Sequence, residues 1–338
     1  MADPAFPPPD FHAFLVTRNE RGVVHPSWTK VPFASLPEGD VVVRVRWTSL
    51  NYKDALAATG HPGVAGRLPH IPGIDAAGTV VTSARSDVTP GQEVVVTGYE
   101  LGAGQWGGWA EYIRVPGEWV VPLPDGLNLR EAMIYGTAGF TAAQCAWVFE
   151  QHEIPVTAGE IVVTGATGGV GCLAVSLLSR RGYRVVASTG KSAARSWLEG
   201  LGAAQIVPRE EVLEPGDRPL ARARWAGAVD TVGGATLVSL LRSTRVGGCV
   251  AACGLVGGAD LPLTVYPFIL RGVTLAGITS AWCPRPRRLE IWRRLAGAWK
   301  VAQLDRLVTV IELADAGDYV EKMLRGEIQG RVLIRVAG

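Results

Sequence analysis

Two textures of hydrophobic and polar positions divide the chain. Up to about residue 130, short valine-rich runs are punctuated by Gly, Pro and Asp: "DVVVRVRWTSL" (40–50), "AAGTVVTSA" (76–84) and "GQEVVVTGYE" (91–100). β-branched residues bounded by turn formers predict strands, and here strand follows strand without regular helices between. From about residue 131, "EAMIYGTAGFTAAQCAWVFEQ" spaces its apolar residues at helical intervals and predicts a helix that bridges two domains. Strands and helices then alternate: "EIVVTG", a helix from about 169, "YRVVAST", a helix near 192–201, "AAQIV", "GAVDTVG", a helix near 235–244 and "GGCVAACG". Strands separated by helical segments of 10–15 residues predict a parallel, doubly wound sheet. Beyond about 274 comes a basic helical stretch, "PRPRRLEIWRRLAGAWK", and the pattern closes on a strand, "GRVLIRV".

Inside the alternating part, "VVTGATGGVGCLAVSLLSRRGYRVVASTGK" (162–191) is a strand, a glycine-rich turn, an amphipathic helix and a second strand. Gly165, Gly168, Gly169 and Gly171 suit a tight turn, close approach of backbone to a pyrophosphate, and close helix–strand packing. The phosphates would meet the N–H groups and positive dipole end of the helix. Val170, Leu173, Ala174, Leu177 and Leu178 give that helix one apolar face. A dinucleotide site usually has a carboxylate after the second strand, to accept both ribose hydroxyls of NAD. This chain has Ser188, Thr189, Gly190 and Lys191 there, with Arg195 and Arg209 further on. Hydroxyls and cations suit the 2′-phosphate of NADP, which a carboxylate would repel.

Composition narrows the class. A 338-residue chain that is 48% hydrophobic can fill two cores. The net charge is +2, from 33 basic and 31 acidic residues spread along the sequence, so nothing argues for nucleic acid or an anionic membrane. The start, "MADPAFPPPDFHAFLV", lacks a basic segment followed by an apolar core, and no apolar run approaches a membrane span; a cytoplasmic protein is expected. Five scattered cysteines predict reduced thiols, with Cys249 and Cys253 on a buried strand and no zinc-type spacing.

The segments "LPEGDVVVRVRWTSLNYKDALAATG" (36–60), "IPGIDAAGTV" (71–80), "QWGGWAEYIRV" (105–115), "IYGTAGFTAAQC" (134–145), "VVTGATGGVG" (162–171), "WAGAVDTVGG" (225–234), "GGCVAACGLVGG" (247–258), "YPFILRGVTLAGI" (266–278) and "IQGRVLI" (328–334) carry a resemblance. In that order, the chain resembles the medium-chain dehydrogenase/reductase superfamily, and within it the zinc-free acrylyl-CoA reductase branch, often named quinone oxidoreductase. The resemblance implies an α/β Rossmann domain (133–275) with a split, barrel-like GroES-type catalytic domain (1–132 and 276–338). It implies no metal: zinc-dependent members have a cysteine where this chain reads "TSLNYKD" and Gly-His-Glu where it reads Gly73-Ile74-Asp75.

The chemistry implied is NADPH-dependent reduction of an α,β-unsaturated thioester, acryloyl-CoA above all. Hydride adds to the β-carbon, hydrogen-bond donors stabilise the enolate, and a proton reaches the α-carbon. By the same resemblance Asn51, Tyr52 and Asp54 face nicotinamide and substrate, Tyr52 touching cofactor or donating a proton. The competing reading is an N-cap with an acidic partner three residues on. Thr167, Gly168, Gly169 and Val170 would meet the pyrophosphate, and Ser188, Thr189, Gly190, Lys191 and Arg209 the adenosine phosphate. Leu255, Ile269 and Ser280 would line the nicotinamide side. The branch tends to have asparagine shortly before its final "QGR", where this chain reads Met323-Leu324-Arg325-Gly326-Glu327. Arg271, Arg285, Arg287, Arg288, Arg293 and Arg294 are candidates for CoA phosphates or plain solvated surface, and His61 reads as a loop residue. Trp106, Trp109 and Trp282 read as packing residues. A homodimer is expected. Two other readings are a quinone or enone reductase and a non-catalytic NADPH-binding sensor.

Overall fold

The computed structural model describes residues 6–216 and 218–336, and the elements and cores below are those of the described residues. The chain opens on an antiparallel pair, β1 (Asp10–Arg18) and β2 (Val24–Pro32), in register from Asp10↔Pro32 to Arg18↔Val24. β3 (Val41–Leu50), α1 (Tyr52–Ala58), β4 (Asp75–Ser83), β5 (Glu93–Thr97), β6 (Tyr112–Val115), β7 (Val120–Pro122) and α2 (Leu129–Gln151) follow. The valine runs form strands because alternation buries one face: Val41, Val43 and Val45 are all enclosed. Within α2, Gly136 takes φ 49° and ψ −154°, which breaks the helix into two.

Then comes the alternating part: β8 (Glu160–Val163), α3 (Gly169–Arg180), β9 (Arg184–Ser188), α4 (Arg195–Gly200), β10 (Gln205–Val207), β11 (Trp225–Asp230), α5 (Gly234–Ser243), β12 (Thr244–Ala252), α6 (Tyr266–Arg271) and β13 (Thr274–Gly277). Its six strands are parallel in the order β10-β9-β8-β11-β12-β13. The chain leaves β8 toward one edge and returns to β11 on its other side. That makes the carboxyl ends of β8 and β11 the switch point, where such sheets bind ligands. Val162, Val186, Ala228 and Val250 meet Leu237, Leu240 and Leu241 of α5 in one core.

The last elements are α7 (Arg285–Ala296), β14 (Val308–Glu312), α8 (Ala316–Leu324) and β15 (Arg331–Arg335). They complete a seven-stranded sheet, β14-β15-β3-β4-β5-β7, with β6 also paired to β3. Phe11, Phe14, Val43, Val96, Trp109, Ile113 and Ile334 lie in its core. The chain divides into two compact units: unit 1 runs through Thr137 and resumes at Ala281–Ala296 and from Leu304, and unit 2 is Ala138–Ser280 with Gly297–Gln303.

Candidate active and nucleotide sites

In unit 1 the site residues cluster where β3 hands over to α1. Asn51 is the N-cap of α1, with extended φ −117° and ψ 163°. Asp54 Oδ2 accepts the Asn51 backbone N–H at 2.8 Å and its side-chain Nδ2 at 3.0 Å. Asp54 Oδ1 accepts the backbone N–H groups of Gly73 (3.1 Å) and Ile74 (2.7 Å). Burial, and next the Asp75 charge, push the Asp54 carboxyl up to about 7, against the pull of its backbone donors.

Asn51 is equally committed. Its Nδ2 also donates to Asp75 Oδ2 (2.9 Å) and Ser49 Oγ (3.2 Å), and its Oδ1 accepts from Arg331 Nη1 (3.1 Å). The buried Asp75 takes Ser49 Oγ on Oδ2 (2.6 Å), and Thr137 N (2.9 Å) and Oγ1 (2.6 Å) on Oδ1. Arg331 Nη2 stands 3.8 Å from Asp75 Oδ2, while Nε donates to Ile134 O at 2.9 Å. The polar atoms of Asn51 and Asp54 thus point into unit 1. Tyr52, the first residue of α1, is 48% exposed and is the member of the trio whose side chain makes no hydrogen bond among the described residues.

Unit 2 supplies the nucleotide cradle. Gly165 turns with φ 55°, and a Cβ on Gly171 would lie 2.3 Å from Gly165 O, so α3 presses on the turn where a larger residue could not. Gly168 is the N-cap of the 12-residue α3, and Val170 sits in its first turn. Buried Thr167 and Thr189 share a hydrogen bond (Oγ1 to Oγ1, 3.3 Å), and Thr189 Oγ1 accepts the Lys191 N–H at 3.0 Å. Ser188 O accepts the Ala166 N–H at 3.0 Å, which ties the glycine turn to the end of β9. A Cβ on Gly190 would be 2.7 Å from Arg209 Nε: the exposed guanidinium lies along the Gly190 backbone. Arg195 instead pairs with Glu199 at 3.8 Å.

Leu255 follows β12 and is 68% exposed; its Cα packs 3.0 Å from the Cβ position of Gly233, beside the carboxyl end of β11. Ile269, also 68% exposed, is on α6, and half-buried Ser280 ends the main segment of unit 2. The structure therefore brings Thr167, Ser188, Thr189, Gly190, Lys191 and Arg209 together around one turn. It gives Leu255 a place at the same edge of the sheet through Gly233.

Models of the alcohol dehydrogenase GroES-like domain and of zinc-binding dehydrogenase match residues 37–125 and 169–295. An acrylyl-CoA reductase of Ruegeria pomeroyi is 42% identical over 96% of this chain and 99% of its own length. The chain belongs to the zinc-free medium-chain dehydrogenase/reductase family. Two family structures are close throughout. Escherichia coli K-12 YhdH with bound NADPH has a TM-score of 0.92 and 47% identity, covering 96% of this chain and 99% of that one. Bacillus subtilis YhfP, which carries a provisional quinone oxidoreductase name, is 46% identical over 89% of this chain and 92% of its own. With NAD bound, YhfP has a TM-score of 0.93 at 45% identity, over 96% of this chain and 99% of that one. The GroES-like unit and the Rossmann-type parallel sheet are the family's fold.

Sequence reasoning misses several residues that build these candidate sites. Ser49, Thr137 and Arg331 carry no local motif, and Asp75 stands out in the sequence only for the zinc ligand it replaces. Asp230, buried at the end of β11, holds the switch point: its Oδ1 accepts Thr164 Oγ1 at 2.7 Å and its Oδ2 the Gly233 N–H at 2.8 Å. Burial raises its carboxyl. Its signal was the "VDTVGG" run itself.

Most of the arginines considered for CoA are used internally. Arg285 donates to Glu118 O (2.8 Å) and Val120 O (2.7 Å), and Arg271 to Arg242 O (2.9 Å) and Ala221 O (2.6 Å). Arg293 and Arg294 both hold Glu290 at 2.7 Å. Arg288 is fully buried. Arg325, in the segment that departs from the branch, pairs with Glu327 at 2.7 Å, and exposed His61 accepts the Gly63 N–H on Nδ1 at 3.1 Å. Trp109 is buried, with its indole N–H on Ser49 O at 3.0 Å, and Trp106 donates to Pro69 O at 3.0 Å. Among the described residues, no three His, Cys, Asp or Glu side chains are grouped to hold a metal ion, and no helix is long and apolar enough to cross a membrane.

Proposed function

We propose that this chain reduces the carbon–carbon double bond of an α,β-unsaturated acyl-CoA with NADPH, acryloyl-CoA to propanoyl-CoA foremost. The observation that carries the cofactor is Gly190 with the Arg209 guanidinium laid along it, at the strand end where an NAD site keeps its acid. That cation, Lys191 and the Thr167–Thr189 pair fit a 2′-phosphate, and the turn at Gly165–Gly171 fits the pyrophosphate. The acyl-CoA substrate rests on the relative named for it at 42% identity over 99% of its length.

NADPH, when bound, supplies the hydride that adds to the β-carbon. The chain's own residues have the rest to do. Tyr52 offers an exposed phenol at a strand end, the usual place for reacting groups, and would hydrogen-bond the thioester enolate or pass a proton to its α-carbon. Asn51 and Asp54, expected beside the reacting atoms, are positioning residues in this reading, because their polar atoms are taken up inside unit 1. Leu255, Ile269 and Ser280 would flank the nicotinamide.

The provisional name of YhfP favours a second reading, a quinone or enone reductase with the same hydride geometry. A cytoplasmic homodimer completes the proposal. β13 ends the parallel sheet, and the neighbouring Leu270 is an exposed apolar residue that a second copy would cover. The test is NADPH and NADH oxidation with acryloyl-CoA, crotonyl-CoA and a small quinone at matched enzyme. NADPH-dependent turnover of acryloyl-CoA is expected. Turnover of quinone alone would replace the substrate, and NADPH binding without oxidation by any acceptor would leave a sensor.

A further inference from the structure

Trp282 stands out of unit 1 with 59% of its surface exposed, and its ring is braced from behind. It meets Tyr99 edge-on, centroids 6.1 Å apart at 89°. Tyr99 in turn lies flat on buried Trp119, at 5.3 Å and 2°. The Arg288 guanidinium sits 4.3 Å from the Tyr99 ring centre. Arg288 is fixed as well: Nη1 donates to Thr97 O (2.7 Å) and Oγ1 (3.1 Å), and Nη2 to Ala281 O (2.9 Å). Ala281 O also accepts the Tyr99 N–H at 3.1 Å. The residue before Trp282 and the ring behind it are therefore both held.

A large apolar ring left 59% exposed forgoes much of the burial it could gain. Packing alone would place it deeper, as it does Trp109 and Trp119. An exposed indole backed by a fixed aromatic neighbour is what a stacking ligand needs. Five residues on, in the first turn of α7, is a cation whose side chain has no partner among the described residues. Of the five arginines from 285 to 294, Arg287 alone makes no side-chain hydrogen bond or ion pair among the described residues, and it is exposed. Burial pushes up the thiol of Cys283, the residue next to Trp282, and the charges of Arg288 and then Arg287 oppose that rise.

We propose that Trp282 and Arg287 seat the adenine nucleotide end of the CoA thioester, the adenine stacked on the indole and the phosphates facing the guanidinium. This rests on the acyl-CoA reading above. Its consequence is that the two ends of the substrate are recognised separately, so the nucleotide can add affinity without touching the reacting carbons.

Calorimetric titration of the NADP+-loaded protein tests it, since the cofactor site is then filled and cannot bind the probe's adenine. The probes are free CoA and 4′-phosphopantetheine, which lacks the nucleotide. The wild type should bind CoA at least about tenfold more tightly than phosphopantetheine, the scale of one base stacked on an aromatic ring. Trp282→Ala should erase that difference, Trp282→Phe should keep most of it, and Arg287→Glu should reduce it. Equal binding of the two probes by the wild type, no CoA binding, or Trp282→Ala binding CoA as the wild type does would each overturn the proposal. Acryloyl-CoA turnover, measured in parallel, tests the reductase reading. Turnover with no nucleotide contribution sinks the platform alone, and CoA binding through Trp282 without turnover sinks the reductase reading alone.

Discussion

Arg331 Nη1 donates to Asn51 Oδ1 at 3.1 Å, across 280 residues of sequence. The register of β15 on β3 makes the bond: Val332 pairs with Leu50, so the next rung sets Arg331 against Asn51. Through Asn51, the guanidinium holds the start of the helix that carries Tyr52.

Arg331→Met should destabilise the protein by about 3 kcal/mol or more, since it leaves the buried Asp75 without its cation and Asn51 Oδ1 without a donor. Urea unfolding measures it. A loss under about 1 kcal/mol would show that the surrounding donors suffice.

Tyr52→Phe keeps the ring and removes the phenol from an exposed position, so stability should stay within about 0.5 kcal/mol. If Tyr52 donates the proton, kcat with acryloyl-CoA should fall about 100-fold while NADPH binding is unchanged. An unaltered kcat would move the donor elsewhere.

Asp54 gives stability a pH dependence. Its carboxyl is held near 7 in the folded chain, against an ordinary value of 3.8, so between those values the folded state binds the extra proton. This contribution is full below the ordinary value and is lost as pH rises toward 7, by as much as about 4 kcal/mol. In Asp54→Asn the slope due to this group disappears, although the variant is weaker at low pH. Matching slopes for wild type and variant from pH 4 to 7 would count against it.

Arg209→Ala should raise the KM for NADPH about tenfold or more and leave that for NADH nearly unchanged, as loss of one charge-assisted bond to phosphate requires. Gly190→Ala should act the same way more weakly, because its methyl would displace the guanidinium from 2.7 Å. Equal loss with both nucleotides would place Arg209 outside phosphate recognition.

The parts of the site legible in the sequence are those whose geometry is local. The segment 162–191 announces β8, the turn, α3 and β9 because glycine spacing, a helical apolar face and a missing acid lie within one βαβ unit. The Asn51–Asp54 cap is also local, and the sequence allowed it as one of two readings. Asp75, Thr137 and Arg331 stayed hidden because strand register and a break in α2 bring them together, and neither leaves a mark in the sequence. The basic run 283–294 stayed undivided for a different reason. An arginine can fill a core with its stem and satisfy backbone carbonyls with its head, as Arg288 does, so a one-dimensional reading does not separate it from exposed Arg287.

The same register sets an order of events during synthesis. Unit 2's parallel sheet is written in one stretch, Glu160–Gly277, and can close once that stretch has emerged. Val41–Arg44 of β3 pairs early with β6, but the Trp47–Leu50 end must wait for β15, and Asn51 for Arg331. On the ribosome, unit 1 begins before unit 2 and is completed after it, and until then the Trp47–Leu50 end of β3 is open to whatever strand it meets.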